Sequence, residues 1–311
     1  MRHPPDLALA ITDILICRPR GLGILQKIGI LLAALILSAA GCSLSRAAAA
    51  TDHYFLSSDG ARLHYLEAGT GPETIVFIPG WTMPAWIWTS QLDALSTRFR
   101  TIALDPRGQG DSEITRSGYT ADRRGRDIGD LLARLGPAPV VLVGWSLGVL
   151  DVLAYVGAAG ESHVAGLVLV DNSIGAGTPP RPRRRSLPGT GISRQAGMSR
   201  FVRSLFRTRQ SPAFLDRLTR DALRTPPQAS RALLNYAEPR TFWRDTIYAT
   251  TPPVLYVTRP GLENQATILL QRRPATEYAM FSHAGHALFV DEPALFNRLV
   301  VDFIRRRIWA S

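Results

Sequence analysis

Cysteine is nearly absent from this 311-residue chain. The two present, Cys17 and Cys42, both fall in the first fifty residues, so the remainder has no thiol to bridge or to bind a metal. That excludes a disulfide scaffold and a thiolate metal site for the body of the protein. Lysine is scarcer still: Lys27 is the sole one, and the net charge of +11 is carried by arginine. Such basicity raises the question of nucleic acid, but no DNA- or RNA-binding motif accompanies it and the arginines are not interleaved with aromatics. Nucleic acid is therefore not an expected partner. Long apolar runs are missing too. The best candidate, Ile28–Ala40, has 13 residues, short of the roughly 20 that a spanning helix needs. No cluster of histidine and acid has ligand spacing along the chain, so neither metal nor cofactor is expected.

That short run defines a leader, residues 1–50. Arg18, Arg20 and Lys27 precede it and small residues follow it to Ala50, which is the order of a secretory signal. The chain is expected to be exported, ending up periplasmic or membrane-anchored. Two exits are open. Ala47–Ala50 suits an ordinary cut after small residues, whereas Ala39-Ala40-Gly41-Cys42 resembles a bacterial lipoprotein box that would lipidate Cys42. Residues 51–311 form the body, whose composition of 46% hydrophobic and 20% charged residues for the whole chain suits an ordinary core.

The organising stretch of the body is Val140–Gly148, VVLVGWSLG. Val140–Val143 is an apolar, β-branched run that suits a buried parallel strand. Gly144-Trp145-Ser146-Leu147-Gly148 follows, then apolar residues at helical spacing through Ala158. Strand, G-x-S-x-G and helix together make a nucleophile elbow, in which the glycines leave room for a strained turn. The helix aims free N–H groups and its positive end at whatever sits on Ser146.

Around that stretch, strands and helices alternate. Tyr54–Ser57 and Leu63–Glu67 read as a hairpin across Ser58-Asp59-Gly60. Strands are expected at Thr74–Ile78, Arg100–Leu104, Leu167–Val170, Val254–Val257 and Glu277–Phe281. Helices are expected at Trp86–Ser96, Ala121–Leu135, near Glu263–Gln271 and at Pro293–Trp309. This is α/β: a doubly wound, mostly parallel sheet. Between residues 172 and 251 no strand pattern appears. Helical patterns at Met198–Phe206, Pro212–Leu223 and Gln228–Ala237 make that segment a helical cap inserted over one end of the sheet.

The elbow, the order of elements, the turn Asp105-Pro106-Arg107-Gly108-Gln109-Gly110-Asp111-Ser112 and the closing Ala284-Gly285-His286-Ala287-Leu288-Phe289 resemble the α/β-hydrolase fold family. Within it the chain is similar to the serine esterase and cofactor-free chloroperoxidase branch, from about Tyr54 to Trp309 with the cap excepted. The resemblance implies Ser146 as nucleophile and His286, by chain order, as its base, with His283 as runner-up. A serine hydroxyl needs such a base at neutral pH. Relatives usually carry the triad acid after the strand corresponding to Val254–Val257. Here that loop, Thr258-Arg259-Pro260-Gly261-Leu262, has no carboxylate. The expected acid is Asp171, at the end of the preceding strand, where some branches place it; Glu263 is the alternative. The resemblance assigns the oxyanion donors to the backbone N–H groups of Leu147 and Trp81. Met83, Trp86 and Trp145 are candidates for an apolar substrate pocket, and Arg107 and Asp111 read as supports of their turn.

The function expected is hydrolysis of a small-molecule carboxylic ester through an acyl-enzyme. Two alternatives stand beside it: a perhydrolase or chloroperoxidase on the same triad, and a catalytically dead binding protein on the same fold. Between Gly175 and Gln210 the chain carries nine arginines and no acid. The leader and this arginine-rich segment together suggest contact with a membrane surface.

Overall fold

A computed structural model describes residues 49–177 and 193–309. The leader, with Cys42 and both cleavage options, and the arginine cluster Arg181–Arg185 lie outside the described residues. Among those residues no helix is long and apolar enough to cross a membrane.

Eight strands form one sheet: β1 (Thr51–Leu56), β2 (Arg62–Ala68), β3 (Thr74–Ile78), β4 (Arg100–Asp105), β5 (Val140–Trp145), β6 (Val164–Val170), β7 (Val254–Thr258) and β8 (Glu277–Met280). Their order is β1-β2-β4-β3-β5-β6-β7-β8. β1 and β2 are the antiparallel hairpin, and β2 pairs antiparallel with β4; every later pairing is parallel. β3, β5 and β7 are buried along their whole length, as strands covered on both faces by helices must be.

The helices are α1 (Thr89–Leu95, entered through a 3₁₀ turn at Ala85–Trp88), α2 (Ala121–Leu135), α3 (Leu147–Ala159), α4 (Arg194–Ser204), α5 (Pro212–Arg224), α6 (Pro227–Ala232), α7 (Arg240–Ala249), α8 (Glu263–Arg272), α9 (Leu288–Asp291) and α10 (Pro293–Arg307). Their ends follow local rules. The Thr120 side chain caps α2 by accepting from the Arg123 N–H, Ser193 and Ser211 cap α4 and α5 the same way, and proline opens α5, α6 and α10. α3 is apolar but for Asp151 and buried from Leu147 to Val156, so it sits inside the sandwich rather than on its surface. Its neighbour α2 approaches closely at Gly125, where a side chain would collide with the backbone of Ala154 and Tyr155.

The two faces of the sheet carry separate cores. One holds Leu63, Val76, Leu142, Leu153, Leu169 and Tyr256. The other holds Phe77, Trp88, Val143, Trp145, Phe289 and Phe303, with Trp88 stacked on Phe289 at 3.7 Å between ring centres. Arg107 crosses the edge of the first core. Wholly buried, it clamps Asp127 through two hydrogen bonds of 2.7 Å and reaches Asp59 at 3.0 Å. The turn after β4 is thereby tied to α2 and to the hairpin, which is the support its sequence suggested.

The four cap helices, α4 to α7, include one that the sequence pattern does not reveal. α7 buries only Trp243 and Ile247, too sparse a stripe to announce a helix. The pattern read over Gln228–Ala237 instead ends at Ala232.

Candidate active site

Ser146 sits where β5 turns into α3, with φ 54° and ψ −121°. This left-handed backbone is rare for a residue with a side chain and persists only where the surroundings impose it. Here they do. The Ser146 N–H donates to the Val170 carbonyl at 2.9 Å, and Asn172 Nδ2 donates to the Ser146 carbonyl at 2.7 Å. A side chain on Gly144 would meet the Gly148 carbonyl, and one on Gly148 would meet those of Ile78 and Pro79. Both glycines of the motif are therefore demanded by backbone packed against backbone.

His286 lies in the loop between β8 and α9. Its Nε2 is 2.8 Å from Ser146 Oγ, and its Nδ1 is 2.6 Å from Asp171 Oδ2. Asp171 closes β6 in a second left-handed conformation, φ 48°, and its side chain is 1% exposed. Arg259, in the loop after β7, also holds it: its N–H donates to Oδ1 at 3.0 Å and its Nε to Oδ2 at 2.6 Å. Burial works to raise the affinity of this carboxyl for a proton. Hydrogen bonding and charge from His286, with the charge and backbone N–H of Arg259, outweigh it and hold Asp171 below its ordinary value. It is an anion at neutral pH, facing the far nitrogen of the imidazole.

Glu263 is not part of this chain of bonds. It is exposed and accepts from the Gly261 N–H at 2.7 Å, as an acid at the start of a helix commonly does. His283 is exposed as well, three residues from the histidine that reaches the serine. Trp81 follows β3, and the chain there runs against the nucleophile: a Cβ on Gly80 would lie 3.0 Å from Ser146 Cβ. Among the described residues, no protein acceptor takes the N–H of Trp81 or of Leu147. Two donors are thus left open beside one hydroxyl.

The three residues expected to line a pocket do other work. Met83 and Trp145 are each 1% exposed and belong to the second core. Trp145 donates from Nε1 to the His286 carbonyl at 2.7 Å, so it fixes the loop of the histidine. Trp86 is taken up by the cap: its Nε1 donates to Asp221 at 2.7 Å, Phe214 packs edge-on, and Arg217 lies over its face at 4.1 Å. Trp81 meets the cap likewise, through Ser230 at 2.8 Å and Phe201. Asp291 joins the cap to the histidine loop. Its carboxylate accepts from Gly285 N–H at 2.7 Å and, across the gap, from Arg207 N–H at 2.8 Å and Thr208 N–H at 3.0 Å. Spacing alone could not reveal the partners of Trp145 and Arg259, 141 and 88 positions away, or the reach of Asp291 to the cap linker 83 and 84 positions back.

Folding also creates a cluster that sequence spacing does not show. His64, Asp105 and Asp111 come within mutual reach of one metal ion's ligand distances. Both ring nitrogens of His64 are occupied, by Asp105 at 2.7 Å and Asp52 at 3.0 Å, while Asp111 pairs with Arg224. The cluster ties the hairpin to β4 and the cap.

Comparison with known proteins agrees with this architecture. Residues 75–299 match the alpha/beta hydrolase family. A non-heme haloperoxidase from Rhodococcus erythropolis is 37% identical over 118 residues, 38% of this chain and 43% of that protein. A pimeloyl-[acyl-carrier protein] methyl ester esterase from Vibrio parahaemolyticus is 26% identical over 262 residues, 78% of this chain and 97% of that one. Among solved structures, an esterase from Rhodococcus sp. superposes with a TM-score of 0.70 at 25% identity, covering 82% of this chain and 99% of its own. The match to the haloperoxidases spans less than half of their length.

Proposed function

The chain belongs to the alpha/beta hydrolase family, and from that premise we propose a serine hydrolase that cleaves carboxylic esters through an acyl-enzyme. One observation carries the reading: the unbroken run of hydrogen bonds from Asp171 through His286 to Ser146. His286 Nε2 takes the Ser146 proton as Oγ attacks the ester carbonyl. The N–H groups of Leu147 and Trp81 receive the oxyanion, and the tetrahedral intermediate expels the alcohol with the proton returned from His286. Water then repeats the sequence on the acyl-enzyme. Throughout, ionised Asp171 keeps Nδ1 protonated, so Nε2 is the free base. The test is hydrolysis of p-nitrophenyl esters of graded acyl length by the wild type and by Ser146→Ala. Turnover by the wild type and none by the variant supports the reading; equal rates overturn it.

A second reading draws on the haloperoxidase relatives. Hydrogen peroxide in place of water on the acetyl-enzyme gives peracetic acid, which oxidises halide in solution. Peroxide-dependent halogenation in acetate buffer that Ser146→Ala abolishes distinguishes it. Export through the leader, lipidation of Cys42 and contact of the arginine-rich segment with anionic lipid belong to the same proposal. Sedimentation with vesicles containing phosphatidylglycerol, set against neutral vesicles at low salt, tests the last.

A further inference from the structure

The sequence motif that follows β4 supplies more than a turn. Gln109, at its centre, is completely buried although it is neutral, polar and long, and all its polar capacity faces one short segment, residues 80–83. Its Oε1 accepts from the Thr82 N–H at 3.0 Å. Its Nε2 donates to the Gly80 carbonyl at 3.1 Å and to the Met83 carbonyl at 3.0 Å. A buried amide with three partners in one loop is a brace for that loop.

The braced segment holds an oxyanion donor. Residues 80–83 form a tight turn closed by Met83 N–H to the Gly80 carbonyl at 3.1 Å, with Thr82 at φ 60°. A β-branched residue in that conformation is a departure from its preference, and it persists only under constraint. Its hydroxyl is buried without a partner, so the Thr82 side chain contributes no hydrogen bond to the arrangement. The constraint comes from Gln109. The Gly80 carbonyl and the Trp81 N–H belong to one trans peptide, in which the two bonds point in opposite directions. Two donors fasten that carbonyl, from Gln109 and from Met83, and so aim the N–H at the opposite side of the plane. The segment itself lies against the nucleophile, since a Cβ on Gly80 would be 3.0 Å from Ser146 Cβ.

We propose that Gln109 is a positioning residue for the oxyanion hole, orienting the Trp81 N–H through the Gly80 carbonyl without touching substrate. This rests on the ester-hydrolysis reading above. Deleting an oxyanion donor outright costs about 10²–10³ in kcat. A donor that is present but misaimed costs less, so Gln109→Met is expected to lower kcat by about 10- to 100-fold with KM within twofold. A boronic acid that forms a tetrahedral adduct on Ser146 weakens in parallel, because the adduct uses the same donors. Thr82→Gly separates positioning from folding. In the double variant Gln109→Met/Thr82→Gly the strain is relieved and melting temperature recovers, while kcat stays low. A folded Gln109→Met or double variant with wild-type kcat and boronate affinity overturns the inference. A wild type inactive on every ester overturns the hydrolase reading, and the inference falls with it.

Discussion

Replacing Asp171 by asparagine, a change of one atom, is expected to be the sharpest perturbation of this site. Asp171 accepts three donors: Arg259 N–H on Oδ1, and Arg259 Nε–H together with His286 Nδ1–H on Oδ2. Asparagine offers one accepting oxygen and one donating nitrogen, so neither orientation satisfies all three. With its oxygen toward His286, its amide hydrogens face the Arg259 N–H. With its nitrogen toward His286, it forces the ring proton from Nδ1 to Nε2, and Ser146 then faces a donor where it needs a base. The Asp171 side chain is itself 1% exposed, so either mismatch falls on a buried group. Loss of the correct tautomer costs about 10⁴ in kcat in the serine-protease template; a fall of about 10³ to 10⁴ is expected here, equivalent to about 4–5 kcal/mol of transition-state stabilisation. KM should change little, since Asp171 is buried away from substrate. The assay is steady-state hydrolysis of p-nitrophenyl acetate at neutral pH, with Glu263→Gln measured beside it. Glu263 bonds only its own turn, so its variant should keep activity within twofold. Asp171→Asn retaining a tenth or more of wild-type kcat, or Glu263→Gln falling as far, refutes the assignment.

Three further outcomes follow from other contacts. Trp145→Phe keeps the ring but strips the donor from the His286 carbonyl. Calorimetric unfolding should show a loss of about 1–3 kcal/mol, and kcat should fall while KM holds. Arg124 and Asp151 form a buried pair between α2 and α3 in which Arg124 Nε and Asp151 Oδ1 have no partner. Removing either charge alone should cost about 3–5 kcal/mol by urea unfolding, whereas Arg124→Met with Asp151→Leu should come near neutral or better; an additive double variant would refute the pairing. Burial opposes a charged His64, but the hydrogen bond and charge of Asp105, with the Asp52 bond, prevail and raise its pKa above the ordinary value. Its contribution to stability is thus complete below about pH 6.5 and fades as pH rises through the raised folded value. Melting temperature measured from pH 6 to 9 should fall more steeply for the wild type than for His64→Gln. Parallel slopes would remove His64 from the account.

What could be read in the sequence depended on how local the cause was. The elbow is written in five neighbouring residues, and Thr74–Ile78 and Ala121–Leu135 emerged with the bounds the patterns indicate. Asp171 was legible through an absence, the loop of residues 258–262 having no carboxylate, and through its place at the end of the preceding strand. The value of Arg259 in that loop appears only once β6 and β7 lie side by side. Met83 and Trp145 misled because an apolar residue beside a nucleophile looks alike whether it faces a cavity or a core. Their neighbours come from strands and helices far along the chain. Gln109 was visible as a member of the turn after β4, but an amide side chain reveals its partners only in three dimensions.

Asp291 has a mechanical consequence. One carboxylate grips Gly285, next to His286, and the cap linker at Arg207 and Thr208, and the Ala287 N–H adds a bond to the Leu205 carbonyl at 2.9 Å. The lid and the imidazole are therefore a single lever. A bulky molecule that levers the linker outward drags the base off its serine by the same stroke. Variants selected for a wider mouth through a looser cap give up turnover as they gain access. Breadth gained by shaving side chains, with the hinge at Asp291 left whole, carries no such penalty.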